Sequence, residues 1–276
     1  MLVTMAEILN KARAEGGYAV TAPNCHNEDT TRACIEAAEE NNAPMILDID
    51  YLEVKDIMQY CRMACEMCKE ASVPIAINLD HGATFEHAIM SIRAGMTSIM
   101  TDRSTLPFEE NIAQVAGLTK VAHAVNVSVE AELGHVGQGV LYAKDRDAGL
   151  TDPSQAKEYV ERTGIDFLAV AIGTAHGVYK GTPHLDFDLL HTIYNTVDVP
   201  LVLHGGSGTG DENLARAARE GISKVNLATD LYTAGYENLK NQIETVDVYS
   251  TFNVLKEGYK NKLIHYMKLF NQCGKA

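Results

Sequence analysis

The sequence predicts an α/β fold, a single (β/α)8 TIM barrel with an additional C-terminal helix, and three observations predict it. Short β-rich apolar runs alternate strictly with helix-length amphipathic segments over eight units, and no Pro- or Ser-rich linker interrupts them. The length, 276 residues, is close to the roughly 250 that such a barrel needs. The whole chain, 1–276, therefore reads as one domain with a helical extension at about 248–270.

The units follow in order. Tyr18–Asn24 is the first strand candidate and Asn27–Asn41 its helix; Pro44–Asp50 is the second, followed by Val54–Ala71. Pro74–Asp80 and Thr84–Ala94 make the third unit, Ser98–Asp102 and Pro107–Asn126 the fourth. The fifth strand, Ser128–Gly134, leads through the long connection His135–Asp152 to the helix Pro153–Thr163. Phe167–Gly173 is followed by a second long connection, Thr174–Leu185, and by Asp186–Thr196. Pro200–Gly206 with Asp211–Glu220 and Lys224–Asp230 with Leu231–Glu244 complete the set, and Val248–Phe270 is the extra helix. Long connections on an economical scaffold are more often functional than decorative, and the first, with Gly137, Gly139 and Gly149, is a candidate lid.

Lys plus Arg number 23 and Asp plus Glu 37, a formal charge of −14. That balance, without a basic patch, speaks against a nucleic-acid or anionic-lipid partner. No apolar run approaches the roughly 20 residues that span a bilayer. Met1–Gly17 carries Glu7 and Glu15 and is unlike a signal peptide, so the expected compartment is the cytoplasm. The six cysteines fit reduced thiols.

In a barrel of this kind chemistry is carried at the C-terminal strand ends. In order these hold Asn24, Asp50, Asp80 with His81, Asp102, Glu132, His176 just past the sixth strand, His204, and Asn226 with Thr229 and Asp230. His81, His176 and His204 converge on one mouth if the barrel closes. Three neutral imidazoles with an open fourth position form a catalytic zinc arrangement; the plainer alternative, hydrogen-bonded loop histidines, stands beside it. His87, His123, His191 and His265 fall in helical patterns, where packing or solvation explains them, and His26, His135 and His184 stay undecided. Glu130 and Glu132 share one strand face, the barrel interior, so each needs a cation or donors. Glu132 is placed either to reach a metal, to orient a histidine, or to pair with an Arg or backbone amides.

His204-Gly-Gly-Ser-Gly-Thr-Gly210 after the seventh strand, with Ser207 and Thr229, points to phosphate binding, and His176-Gly-Val-Tyr-Lys180 adds Gly177 and a cation near the same mouth. No Lys stands at a strand's C-terminal end; Lys224 reads as opening the eighth strand at the opposite face, leaving no candidate for a Schiff base. Cys61, Cys65 and Cys68 have the spacing of an iron–sulfur ligand run, but with Val54, Ile57 and Met58 they recur at helical intervals and read as a buried stripe.

Asn78-Leu-Asp-His-Gly82, Ser128-Val-Glu-Ala-Glu-Leu-Gly134, Ala169-Val-Ala-Ile-Gly-Thr-Ala-His-Gly-Val-Tyr179, Val202-Leu-His-Gly-Gly-Ser-Gly208 and Lys224-Val-Asn-Leu-Ala-Thr229 stand in an order that resembles the class II, zinc-dependent ketose-bisphosphate aldolases of the fructose- and tagatose-bisphosphate type. The resemblance implies retro-aldol cleavage of a phosphorylated ketose to dihydroxyacetone phosphate and an aldehyde. It implies Zn2+ held by His81, His176 and His204, gripping the ketose carbonyl and stabilising the enediolate, with a monovalent cation as a candidate companion. Asp80 matches the family's proton-transfer residue. Gly177, Lys180, Gly205, Ser207, Asn226 and Thr229 match the dihydroxyacetone-phosphate pocket, Asn24 a substrate-positioning amide, and Asp102 and Glu132 carboxylates near an alternative metal position. A homodimer or homotetramer is the expected assembly.

The departures from the family are informative. Family members usually carry a Glu in the lid after the fifth strand; here Val140 takes that place in Gly137-Gln-Gly-Val-Leu-Tyr142, which leaves Tyr142, Asp145 or Asp147 as substitutes, or slow protonation. The family's C-terminal Asp-Pro-Arg followed by an aromatic, Leu and Arg becomes Asp247-Val-Tyr-Ser-Thr-Phe-Asn253, without either guanidinium. Charged hydrogen bonds to phosphate contribute on the order of 1.5–3 kcal/mol each. After the second strand, Asp48-Ile-Asp50 adds negative charge where a second phosphate would approach. These departures predict a ketose whose aldehyde half lacks a phosphate. The competing expectation is a catalytically impaired relative kept as a binding or regulatory subunit.

Overall fold

The computed structural model describes residues 1–137, 149–177, 179, 181 and 183–276. Eight parallel strands, β1 (Val20–Pro23), β2 (Met45–Ile49), β3 (Ile75–Gly82), β4 (Ser98–Thr101), β5 (Ser128–Leu133), β6 (Phe167–Val170), β7 (Leu201–Leu203) and β8 (Ile222–Leu227), run in the order β1-β8-β7-β6-β5-β4-β3-β2. The seam between β1 and β2 carries one bridge, Asn24 to Asp48, and the bond from Cys25 N to Asp48 O at 3.0 Å. Lower on the same seam the fully buried side chain of Gln272 stands in for ladder bonds: its Oε1 accepts from Thr21 N at 2.9 Å and its Nε2 donates to Pro44 O at 2.6 Å.

Among the described residues the helices are α1 (Met5–Glu15), α2 (Glu28–Glu40), α3 (Ile57–Glu70), α4 (Phe85–Ala94), α5 (Phe108–His123), α6 (Pro153–Thr163), α7 (Phe187–Thr196), α8 (Asp211–Glu220), α9 (Thr229–Lys240) and α10 (Thr251–Leu269). Helix starts follow local capping: Thr4 with Glu7 and Asn27 with Thr30 form reciprocal caps, and Asp152, Asp186 and Thr84 each accept a backbone N–H of the first turn. The strand and helix candidates are all present, with ends displaced by a few residues. Helix α1 is an addition to them. Its Met5, Ile8, Leu9 and Ala12 pack with Val20, Ile46, Ala76, Met100, Phe167 and Val202, closing the lower end of the cylinder.

The larger core lies between the outer face of the strands and the helices. Cys61, Cys65 and Cys68 belong to it, as buried thiols on the inner face of α3, so the helical-stripe reading holds. Helix α10 packs on α9 and α2, with Lys256 Nζ 2.9 Å and Lys260 Nζ 3.4 Å from Glu36 carboxylate oxygens. Among the described residues no helix is long and apolar enough to cross a membrane.

Candidate active site

The C-terminal ends of the strands gather the histidines. At the end of β3 the register with β4 shifts between Leu79 and Gly82, and His81 adopts a left-handed backbone (φ +45°) that a side-chain-bearing residue rarely takes. Such local strain marks sites where a side chain is re-aimed. His176 follows β6 and His204 follows β7, where Gly205 (φ +70°) turns the chain. A Cβ at Gly205 would lie 2.4 Å from Ala175 O, so only glycine lets the His204 loop pass the His176 loop this closely.

One ring nitrogen from each of His81, His176 and His204 lies within 4.8 Å of the others. His81 Nε2 and His176 Nε2 are 3.2 Å apart. Two nitrogens bound to one tetrahedral zinc at about 2.0–2.1 Å are separated by roughly 3.3 Å. Each imidazole is oriented from behind or left with a free nitrogen toward the others. His81 Nδ1 bonds Asp102 Oδ2 at 2.9 Å, and His204 Nε2 bonds Glu130 Oε1 at 2.8 Å. His204 Nδ1 is buried and has no hydrogen-bond partner. A buried, partnerless imidazole nitrogen beside two others is what a divalent cation with a preference for nitrogen requires, so the donor set fits the group.

Asp80 precedes His81 and is almost fully buried. Asn24 Nδ2 donates to its Oδ2 at 2.9 Å and Asn226 Nδ2 to its Oδ1 at 3.2 Å, while Oδ1 lies 3.8 Å from His81 Nε2. Asn24 is in turn fixed through its carbonyl, which accepts from Tyr232 OH at 2.9 Å and Tyr259 OH at 2.7 Å. The last two helices thus steady a group at the mouth, a role that no pattern in the sequence announces.

The electrostatics follow from this crowding. Burial favours the neutral form of Asp80, but His81, His204, Lys224 and the Asn24 bond outweigh it and bring its pKa down to about 2. Burial also disfavours charged His81, yet Asp80, Asp102 and Glu132 raise its pKa to about 10. His176 is driven the other way: burial, then the neighbouring imidazoles, lower it to about 4. Of these two neighbouring rings, His81 is thus favoured as the cation and His176 as the neutral imidazole.

Glu132 Oε1 accepts from Val136 N at 2.8 Å, and its Oε2 is buried without a partner. With His81 and Asp102 it forms a second group of donors within 4.8 Å. The five candidate ligands therefore divide into two overlapping sets that share His81. His135 sits beside this second set, with Ser104 Oγ 2.9 Å from its Nδ1. His26 stacks on Tyr232 and bonds its hydroxyl at 2.8 Å.

Around the loop after β7, Ser207 Oγ accepts from the backbone N–H of Ala228 and of Asp230, each at 3.2 Å. Its own proton is left for a further acceptor, next to the N-terminus of α9 at Thr229. Gly177, directly after His176, has φ +81°. Lys180, Val140, Tyr142, Asp145 and Asp147 lie outside the described residues, as does most of the expected lid, 138–148.

Two placements differ from expectation. Lys224 does not open β8 at the opposite face: β8 starts at Ile222, and the Lys224 side chain is fully buried inside the barrel, its Nζ 2.8 Å from Glu130 Oε2. Asp48 likewise points inside, fully buried, 3.4 Å from Lys224 Nζ and accepting from Asn78 Nδ2 at 2.8 Å. Of Asp48 and Asp50, only Asp50 stands at the rim. Its Oδ1 accepts from Leu52 N and Glu53 N at 2.8 Å each, and burial together with Asp80 pushes its pKa up. Beyond it opens a hollow of about 500 Å³ walled by His26, Glu28, Glu53, Lys55 and Gln59.

A (β/α)8 barrel with histidines and carboxylates gathered at its C-terminal mouth is the architecture of a barrel enzyme. Its class is fixed by comparison with known proteins. The chain belongs to the class-II fructose-bisphosphate aldolase family, whose model matches residues 3–275, and it is accordingly an aldolase, a lyase. It is 39% identical over 310 aligned positions to a fructose-bisphosphate aldolase of Thermus caldophilus, with 100% of both chains covered. Among solved structures it is similar to the YdjI aldolase of Escherichia coli K12, with a TM-score of 0.90, 34% identity and 100% of each chain covered. It also resembles a putative fructose-1,6-biphosphate aldolase of Coccidioides immitis, with a TM-score of 0.88 and 26% identity over 98% of this chain and 97% of that one.

Proposed function

We propose that the protein is a zinc-dependent aldolase that reversibly cleaves a phosphorylated ketose to dihydroxyacetone phosphate and an aldehyde without a phosphate of its own. The observation that carries this reading is the convergence of three imidazole nitrogens within 4.8 Å, one of them buried and unpartnered, beside Asp80. His81, His176 and His204 would hold the metal. When bound, zinc polarises the ketose carbonyl and stabilises the negative charge that develops as the carbon–carbon bond breaks.

The remaining steps belong to the chain. Asp80, kept ionised and aimed by Asn24 and Asn226, removes the proton from the hydroxyl of the carbon that becomes the aldehyde and returns it in the synthetic direction. Ser207, the backbone around Gly177 and Gly205, Asn226, Thr229 and Lys180 bind the phosphate-bearing half, with the N-terminus of α9 adding its dipole. Asp102 orients His81, and Glu132 with Asp102 offers an alternative metal position. Asp50 at the rim, and the lack of arginine in 247–253, support an aldehyde half without a second phosphate.

The exposed Tyr236, Ile243, Val248, Tyr249 and Phe252 around the α9–α10 connection support a homodimer or homotetramer. Six free thiols, five of them buried, support a cytoplasmic location. The test is incubation of zinc-loaded protein with ketose 1-phosphates and 1,6-bisphosphates of the fructose and tagatose series, with detection of dihydroxyacetone phosphate. Chelator-sensitive, borohydride-resistant release from the 1-phosphates is expected. Preference for the bisphosphates overturns the substrate assignment. One zinc per chain with no cleavage of any ketose phosphate favours the impaired relative.

A further inference from the structure

Beneath the three histidines lies a second polar layer, closed to solvent. Lys224 (β8), Glu130 (β5), Asp48 (β2) and Asn78 (β3) are all fully buried. The Lys224 ammonium lies 2.8 Å from Glu130 Oε2 and 3.4 Å from Asp48 Oδ2, whose other oxygen accepts from Asn78. Burying charges in a barrel core is unfavourable, and apolar side chains of similar volume usually serve stability as well or better. Elsewhere this barrel does just that, in the apolar cluster of Val20, Ile46, Ala76, Met100, Phe167 and Val202.

A local irregularity puts the lysine there. Leu201 pairs with Ile222, but Val202 pairs with Lys224, so Ser223 is an extra residue in the ladder. In regular register Val202, which points inward, would face Ser223 and Lys224 would point out toward the helices. The bulge reverses this and turns an ammonium into the interior.

What the layer touches above it is His204. Glu130 uses one oxygen for Lys224 and the other for His204 Nε2, at 2.8 Å. An ionised carboxylate only accepts, so the proton of His204 sits on Nε2 and the lone pair on Nδ1, the nitrogen that is buried without a partner. We propose that Lys224 is a positioning residue: its ammonium anchors Glu130 as an acceptor beneath His204 and so fixes the ring tautomer that presents Nδ1 to a divalent cation. The proposal rests on the metal-site reading above. It leaves Lys224 no part as a nucleophile, since its amine is sealed from the mouth and engaged by two carboxylates.

The test uses the full chain carrying Lys224→Met, Glu130→Gln or both. Zinc affinity is measured by competition with a chromogenic chelator, the His204 tautomer by 15N chemical shifts of the metal-free protein, and folding by circular dichroism. Each single variant is expected to bind zinc about 10–100-fold more weakly, the double variant no worse than the weaker single, and His204 to lose its single Nε2–H tautomer. Glu130→Gln, nearly isosteric, keeps the test open if Lys224→Met does not fold. Unchanged zinc affinity with the same tautomer in the folded variants overturns the proposal, as does borohydride trapping of a ketose phosphate on Lys224. If the unaltered protein binds no zinc, the metal reading falls, while the nitrogen shifts of the variants still decide whether Lys224 sets the His204 tautomer.

Discussion

The Nε2 atoms of His81 and His176 face each other at 3.2 Å across the mouth of the barrel. Two imidazole lone pairs at that distance repel unless a proton or a cation lies between them. In the metal-free protein the proton resides on His81, whose pKa is raised to about 10. Zinc binding at pH 7 therefore displaces about one proton, and affinity rises with pH over the range in which His81 is otherwise protonated. Calorimetric titration in two buffers of different ionisation enthalpy measures the proton directly. Zinc at 100 times its dissociation constant is expected to add about 2.7 kcal/mol to stability; His176→Ala should remove both the proton release and the added stability.

Asp80 is tied by two amides and lies 3.8 Å from His81, so its replacement separates chemistry from metal binding. Asp80→Asn keeps the shape and removes the base. The expected outcome is a fall of about 10²–10⁴-fold in kcat, with one zinc per chain still bound. Loss of zinc in parallel with activity would show that the carboxylate holds the site together rather than moving a proton.

Which parts of this arrangement are readable from the sequence follows a physical rule. Strands buried on both faces leave apolar runs, and helices on the outside leave amphipathic ones, so the alternation and the polar strand ends are legible. Asp80, His81, His176 and His204 all lie at such ends. Lys224 and Asp48 are misread because a charged residue inside a strand is ordinarily assigned to solvent, and the bulge at Ser223 that turns Lys224 inward has no local signature. Helix α1 is missed since its job is to plug a barrel end, which is visible only once the barrel exists. The bonds of Tyr232 and Tyr259 to the Asn24 carbonyl depend on how α9 and α10 fold back over β1, which no local pattern announces.

Asp50 is the one acidic strand-end residue of β2 that faces the rim, and burial, joined by the charge of nearby Asp80, already disfavours its ionised form. A second phosphate brought to this edge meets like charge. Asp50→Ser is expected to improve kcat/KM for ketose 1,6-bisphosphates relative to the 1-phosphates by roughly tenfold, about 1.4 kcal/mol. The ratio of the two specificity constants is the measurement. An unchanged ratio places the discrimination elsewhere, in the hollow walled by His26 and Glu53.

Gln272 closes the barrel from outside the barrel sequence. At its level the backbone N–H of Thr21 and the carbonyl of Pro44 are satisfied by one side-chain amide, buried completely, that lies three residues past α10. Gln272→Leu fills the same space but leaves both groups without partners, and each buried unpaired group costs about 1–3 kcal/mol. A loss on the order of 2–6 kcal/mol is expected, read as a lower urea midpoint with the slope unchanged. Gln272→Glu retains an acceptor for Thr21 N yet sets a carboxylate against the Pro44 carbonyl, so it should be at least as damaging at neutral pH and partly relieved as acid protonates it. A midpoint for Gln272→Leu within the scatter of the unaltered protein would mean that the bridge of Asn24 to Asp48 closes the seam unaided. Because that bridge also sets the height of Asn24 against Asp80, the stability loss should be accompanied by a fall in kcat that zinc does not restore.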